Sequence, residues 1–204
     1  MHWIWTLASV VTMQNVFTRL KPRGSEIYIT FDDGPHPDHT PRLLAMLAEH
    51  DAHATFFVIG NKADARADVL RAIVAAGHTL GNHSYSHPRF DESSLRLQRE
   101  EIDRTDEVLA RIDGQSRHVM RPPHGRATLG AILICLSRRQ RLGLWTHDSL
   151  DYRLQAPEVV ERLKSLDVRP GDVILFHDDK QDSLDALGQL LPYWKSRGMV
   201  FAAL

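Results

Sequence analysis

The segment IYITFDDGPHP places two adjacent carboxylates, Asp32 and Asp33, at the end of an apolar run. Side by side they repel unless a cation, an arginine or solvent offsets them, and the Gly34–Pro35 step forces the chain to turn just beyond. A second segment, GNHSYSHP, holds His83 and His87 at i and i+4, a spacing that lines one helical face. Pro88 biases His87 away from the helical region, so the expectation is an irregular turn that draws the two imidazoles together. Two histidines and one carboxylate from a neighbouring strand end, with coordination positions left open, suit Zn²⁺ or another first-row divalent ion. Three further segments contribute single groups: Arg121 in RPPHG, Asp148 and Asp151 in WTHDSLDY, and His177 closing the apolar VILF. Arg121 is restricted by two following prolines, as suits a residue that orients a carboxylate. His177 alone reads equally well as a buried histidine satisfied by a backbone group; its company at the other loop ends favours function.

These residues need a scaffold that gathers them, and from Glu26 onward short β-branched and aromatic runs alternate with stretches of helical period. The runs predict seven strands at 27–31, 55–59, 78–82, 118–120, 142–145, 173–176 and 199–202, with helices near 41–50, 66–76, 93–112, 127–139, 157–166 and 182–197. Every candidate residue above then lies at the C-terminal end of a strand. In a parallel β/α barrel those ends form one face, where the loops converge on a common site. Thr40 before Pro41 predicts an N-cap with proline at the first helical position, which leaves Asp32 and Asp33 free for other work. Gly77 and Gly198 stand where helices must end.

The 204 residues predict a single domain, with residues 1–25 as an N-terminal extension and 26–204 as the core. A chain this long buries about 70% of its unfolded surface, so a metal here serves chemistry and not folding. A net charge of −1 argues against a nucleic-acid partner held by a general basic surface. The single Cys135 forms no internal disulfide and suits a reducing compartment. The apolar run 3–13 is shorter than a bilayer span of about 20 residues, and its basic residues follow it where an export signal would have them precede. The expectation is therefore a cytoplasmic protein whose N-terminal helix packs on the domain through Trp3, Leu7, Val10 and Val11, in preference to a membrane-surface anchor. Of 12 histidines, His36, His39, His124 and His147 fall at the same loop ends, while His2, His50, His53, His78 and His118 read as surface or strand-start residues.

Taken together, TFDDGP at 30–35, HSYSH at 83–87, RPPHG at 121–125, DSLDY at 148–152 and LFH at 175–177 resemble, in order, the five motifs of the polysaccharide deacetylases, the nodulation-deacetylase homology group of carbohydrate esterases. The resemblance runs from about Glu26 to the C-terminus and implies a distorted (β/α) barrel of about seven parallel strands. It implies that Asp33, His83 and His87 bind a divalent metal, Zn²⁺ first and Co²⁺, Mn²⁺ or Ni²⁺ as alternatives. Asp32 would be the general base, held by Arg121; His177 the general acid, oriented by Asp151; and Asp148 a more remote partner of Arg121. The His124 backbone N–H would face the oxyanion, Leu175 the acetyl methyl, and Tyr152 the substrate. His124 stands where relatives usually carry an aromatic, commonly Tyr, and Tyr152 where they usually carry Trp. The implied reaction is removal of the N-acetyl group from an N-acetylhexosamine unit of a glycan or glycoconjugate. Alternatives are O-acetyl ester hydrolysis, other C–N hydrolysis, a carbohydrate-binding relative without turnover, and, on ligand types alone, a non-haem iron oxygenase.

Overall fold

A computed structural model of the protein describes residues 16–204, so the N-terminal helix expected through Trp3, Leu7, Val10 and Val11 lies outside the described residues. In chain order the strands are β1 (Val16–Phe17), β2 (Glu26–Gly34), β3 (Ala54–Val58), β4 (Thr79–Asn82), β5 (Leu142–Gly143), β6 (His147–Asp148), β7 (Val173–His177) and β8 (Val200–Phe201). The helices are α1 (His39–Glu49), α2 (Gly60–Asp64), α3 (Ala67–Ala75), α4 (Leu95–Asp113), α5 (Leu129–Ser137), α6 (Ala156–Ser165) and α7 (Gln181–Ser196).

The longest strand, β2, sits centrally between β3 and β7, with β4 beyond β3 and β6 beyond β7, all parallel. Its run from Ile27 to Phe31 is buried throughout, as expected of a parallel strand covered on both faces. β8 joins the start of β2, and β1 pairs with β5. Single bridges from Met120 to Asn82 and to Leu142 carry the curvature from β4 round to β5. Among the described residues no ladder joins β5 to β6, so the barrel is distorted, with its irregular side at the segment leading into Asp148. Phe31, Phe56 and Phe176 form the centre of a core that α1, α3, α6 and α7 cover, with Trp194 of α7 fully buried against it.

Several expectations change. The strand at 118–120 reduces to the Met120 bridges, and Pro122 and Pro123 just beyond supply no N–H to extend a ladder. The strand at 142–145 stops at Gly143, and the chain re-enters the sheet at His147. Thr40 is not an N-cap. It lies inside α1, and the His36 imidazole fills the capping role, its Nδ1 accepting from the N–H groups of Asp38 (3.2 Å) and His39 (3.1 Å). The Thr40 hydroxyl instead accepts from His36 N–H and donates to Asp178. His78, which leads into β4 as the strand-start reading has it, and His118 are both buried and not surface residues. Gly77 and Gly198 do close α3 and α7, at φ of +80° and +78°.

Candidate active site

The pairing of β2 and β7 sets Asp32 directly opposite His177. On the other side, β2 stays in register with β3 as far as Asp32 and Phe57, then resumes one residue late at Gly34 and Val58. Asp33 is the extra residue, a β-bulge with φ of +70°, a region Asp enters more readily than most side chains. Successive residues of a regular strand point to opposite faces. The bulge re-aims Asp33, so that both carboxylates line one cavity of about 390 Å³ at the strand C-terminal ends.

Asp33, His83 and His87 meet there. Asp33 Oδ1 lies 3.5 Å from His83 Nε2 and 3.3 Å from His87 Nε2. His83 Nδ1 is 2.8 Å from the Arg121 carbonyl; a carbonyl only accepts, so the proton is on Nδ1 and the Nε2 lone pair faces Asp33. The segment between the two histidines is an irregular turn, with Ser84 and His87 at φ of +65° and +60°, as Pro88 led one to expect. Burial and the neighbouring His83 lower the His87 pKa to about 4, which keeps its imidazole neutral and able to ligate. Burial works to raise Asp33, but His83 and His87 outweigh it and hold the carboxyl below its ordinary range. Asp33 Oδ1 is itself buried without a hydrogen-bond partner among the described residues. Ligands about 2.1 Å from a tetrahedral ion stand about 3.4 Å apart, which matches the spacings found. This carboxylate and these two histidines therefore fit a divalent metal ion.

Arg121 is fully buried, and four of its five guanidinium N–H groups are hydrogen-bonded. It donates to Asp32 Oδ1 (2.7 Å), Thr30 Oγ1 (2.8 Å) and the carbonyls of Gly143 (3.1 Å) and Leu144 (2.8 Å). One face stacks on the Phe57 ring at 3.9 Å. Burial lowers the Arg121 pKa while Asp32 supports its charge. Asp32 is thereby fixed with its second oxygen 3.6 Å from His83 Nε2.

Across the cavity His177 Nδ1 meets Asp151 Oδ1 at 2.7 Å. The other Asp151 oxygen accepts the His177 backbone N–H (2.7 Å) and the Ser183 hydroxyl (2.5 Å). Burial alone would lower the His177 pKa, but hydrogen bonding and charge from Asp151, then Asp32 and Asp33, raise it to about 9.

His124, Tyr152 and Leu175 line the same cavity. His124 is held at φ of +56° with its ring against His87, centroids 4.5 Å apart, and Tyr152 stands edge-on to His177 at 5.5 Å. Asp148 also lines the cavity but is no partner of Arg121: its carboxylate accepts from Leu150 N–H (2.8 Å) and faces Tyr152 OH. Backbone carbonyls occupy the donors of Arg121 that Asp148 would have taken, and burial raises the Asp148 pKa. Reading the sequence missed Trp145, which forms part of the wall, and the supporting Thr30 and Ser183. Only the WT of WTHDSLDY hinted at the first, and nothing marked the others.

The family description "polysaccharide deacetylase" matches residues 19–135. This chain belongs to that family. It is 32% identical to a peptidoglycan-N-acetylglucosamine deacetylase of Bacillus cereus over 184 residues, covering 88% of this chain and 67% of that protein. It is 30% identical to a chitooligosaccharide deacetylase of Sinorhizobium fredii over 207 residues, covering 92% and 96%. A solved peptidoglycan N-acetylglucosamine deacetylase, in complex with 4-naphthalen-1-yl-N-oxidanyl-benzamide, superimposes with a TM-score of 0.87 at 30% identity, covering 93% of this chain and 90% of that one. The family's distorted α/β barrel is the fold observed. Among the described residues no helix is long and apolar enough to cross a membrane.

Proposed function

We propose that this protein is a metal-dependent N-deacetylase that hydrolyses the acetamide of N-acetylhexosamine units in an oligosaccharide, polysaccharide or glycoconjugate, releasing acetate. The reading takes residues 26–204 as one catalytic domain behind an N-terminal extension. The observation that carries it is the placement of Asp32 and His177 opposite each other across β2 and β7, with Asp33, His83 and His87 beside them. A carboxylate and a histidine held by separate partners, with a metal site adjacent, match the needs of amide hydrolysis: a base for water and an acid for a poor leaving group. The relatives' names support the same chemistry.

Asp33, His83 and His87 would hold the ion, with Zn²⁺ the ion that this mixed N and O donor set suits first. When bound, it supplies Lewis acidity at the acetyl carbonyl and a lowered pKa for water, which removes the need for a Ser or Cys nucleophile. Asp32, held by Arg121, takes the proton as water attacks. The His124 backbone N–H faces the developing oxyanion, and Leu175 accommodates the acetyl methyl. His177, protonated through Asp151, delivers its proton to the departing amine, and the hexosamine leaves with a free amino group. Tyr152 offers a half-exposed ring to the sugar.

Acetate release from N-acetylglucosamine oligomers tests this, with bound metal measured in the same preparation and acetylated xylan as an ester comparison. Activity should disappear with chelator and return with Zn²⁺. Asp32→Asn should retain the metal and lose turnover by at least about a hundredfold, the ordinary worth of a general base. A fully metallated protein that releases no acetate across a broad glycan panel would exclude this reading, and turnover confined to acetylated xylan would make it an esterase.

A further inference from the structure

Two carboxylates of α4, Glu101 and Asp106, are buried on the side of the helix that faces the two-histidine turn, at 8% and 6% exposure. A buried carboxylate is costly unless its oxygens are met by donors, and the donors here belong to the segment that carries His83 and His87. Glu101 Oε2 accepts the backbone N–H groups of Tyr85 (2.8 Å) and Ser86 (2.7 Å), and its Oε1 accepts the Ser86 hydroxyl (2.8 Å). Asp106 Oδ1 accepts from Asn82 Nδ2 (2.9 Å) and faces His118 Nδ1 (3.0 Å), while Oδ2 accepts from Gln140 Nε2 (3.0 Å). The Asn82 amide, so oriented, turns its Oδ1 to the N–H of Ser84 (3.0 Å). The Ser84 hydroxyl in turn accepts the N–H of His87 (3.1 Å).

Four successive peptide N–H groups, from Ser84 to His87, are thus met by side chains. Two go directly to Glu101, and the Ser84 N–H goes to an amide that Asp106 orients. The turn has left-handed residues at both Ser84 and His87, a conformation that persists only where its surroundings determine it. Behind it, His118 joins Asp106 to Asp113, its Nε2 3.0 Å from the latter.

We propose that Glu101 and Asp106 are positioning residues for the metal site: together they fix the turn that sets the separation and aim of the His83 and His87 ring nitrogens. The proposal rests on Asp33, His83 and His87 being the metal ligands. Partners behind metal ligands commonly change metal affinity by about 10- to 100-fold when removed. The test is competition for Zn²⁺ against a chromophoric chelator, together with the absorption spectrum of the Co²⁺-loaded protein. Wild type would be compared with Glu101→Ala, Glu101→Gln, Asp106→Asn and Asp113→Asn. Glu101→Ala and Asp106→Asn should weaken Zn²⁺ binding by about 10- to 100-fold and alter the Co²⁺ bands, with Glu101→Gln between them and wild type. Asp113→Asn, which touches His118 and not the turn, should lower thermal stability and leave Zn²⁺ affinity unchanged.

If Glu101→Ala does not fold, the isosteric Gln and Asn variants decide the matter. Wild-type affinity and an unchanged Co²⁺ spectrum in folded Glu101→Gln and Asp106→Asn would overturn the proposal. So would an equal loss of affinity in Asp113→Asn. A wild-type protein that binds Zn²⁺ through this site and releases no acetate would defeat the deacetylase reading alone.

Discussion

The pair formed by His177 and Asp151 yields the sharpest test, through Asp151→Asn. Burial works against the imidazolium, yet the pKa stands near 9, because Asp151 supplies first a hydrogen bond and then a full negative charge. The variant removes that charge and leaves the burial. The distant charges of Asp32 and Asp33 remain, so the ring should return to about 6.5, the ordinary histidine value, or lower. At pH 7.5 a ring of that pKa is about one-tenth protonated, so kcat should fall about tenfold from loss of the acid form alone, about 1.4 kcal/mol. A bound divalent cation lowers the pKa in both proteins, so the difference between them persists. Acetate release measured from pH 5 to 10 should show the high-pH limb moving acidward by about 2.5 pH units or more, with most of the deficit recovered near pH 5.5. The same pair contributes stability that is fully present below about pH 6.5 and is lost as pH rises through about 9, because the folded ring binds its proton more tightly than the unfolded one. A high-pH limb that does not move in Asp151→Asn would refute His177 as a proton donor held by Asp151.

Three other substitutions probe the frame around the site. Arg121→Gln strips Asp32 of a buried cation and breaks a set of four hydrogen bonds; a loss of about 3–5 kcal/mol is expected in urea unfolding, and a loss under about 1 kcal/mol would contradict the burial argument. Gly34→Ala drives a Cβ into the buried Asp178 carboxylate, so it should cost about 1–3 kcal/mol by the same measurement, with wild-type stability as the contrary result. Asp178 is fully buried, and burial raises its pKa from 3.8 to about 7. Between those values the unfolded chain releases a proton that the folded chain keeps, so the carboxyl penalises folding increasingly as pH rises from about 4 to about 7. Asp178→Asn keeps an acceptor for the Thr40 hydroxyl and should raise Tm relative to wild type more at pH 8 than at pH 4; an equal effect at both would argue that Asp178 does not titrate there.

The ionisable residues and their collection at one barrel edge were legible in the sequence, because parallel strands with short loops bring strand ends together whatever the details. The means of collection were not. FDDG shows two neighbouring carboxylates, and only the bulge at Asp33 explains how neighbours on a strand face the same cavity. A bulge is a property of the pairing between β2 and β3, and no residue announces it. Thr40 looked like a helix cap because Thr–Pro is a good local signal, yet a ring three residues before the helix out-competed it once the turn after Asp33 folded back. The family resemblance implied Asp148 as company for Arg121. The guanidinium took the carbonyls of Gly143 and Leu144 instead, acceptors that every residue carries and that composition cannot rank.

The same limit applies more strongly to α4. Its sequence, LRLQREEIDRTDEVLARID, scatters carboxylates on all sides, and Glu101 and Asp106 look no different from the solvent-facing Glu100 beside them. Helical period tells which residues share a face, but not whether that face meets solvent or the N–H groups of a turn that has no ladder of its own. Several chemistry-bearing residues, His83, His87, Arg121 and Asp151, stand outside the strands and helices. Asp33, Ser84, His87, His124 and Leu150 all take positive φ within or beside the cavity. A backbone so irregular leaves its polar groups to be met by side chains from elsewhere. The regular elements therefore do more than carry the site at their ends. Substitutions on the inner face of α4 should disturb the metal site more than their distance along the chain suggests, and the Zn²⁺ titrations of the α4 variants measure that directly.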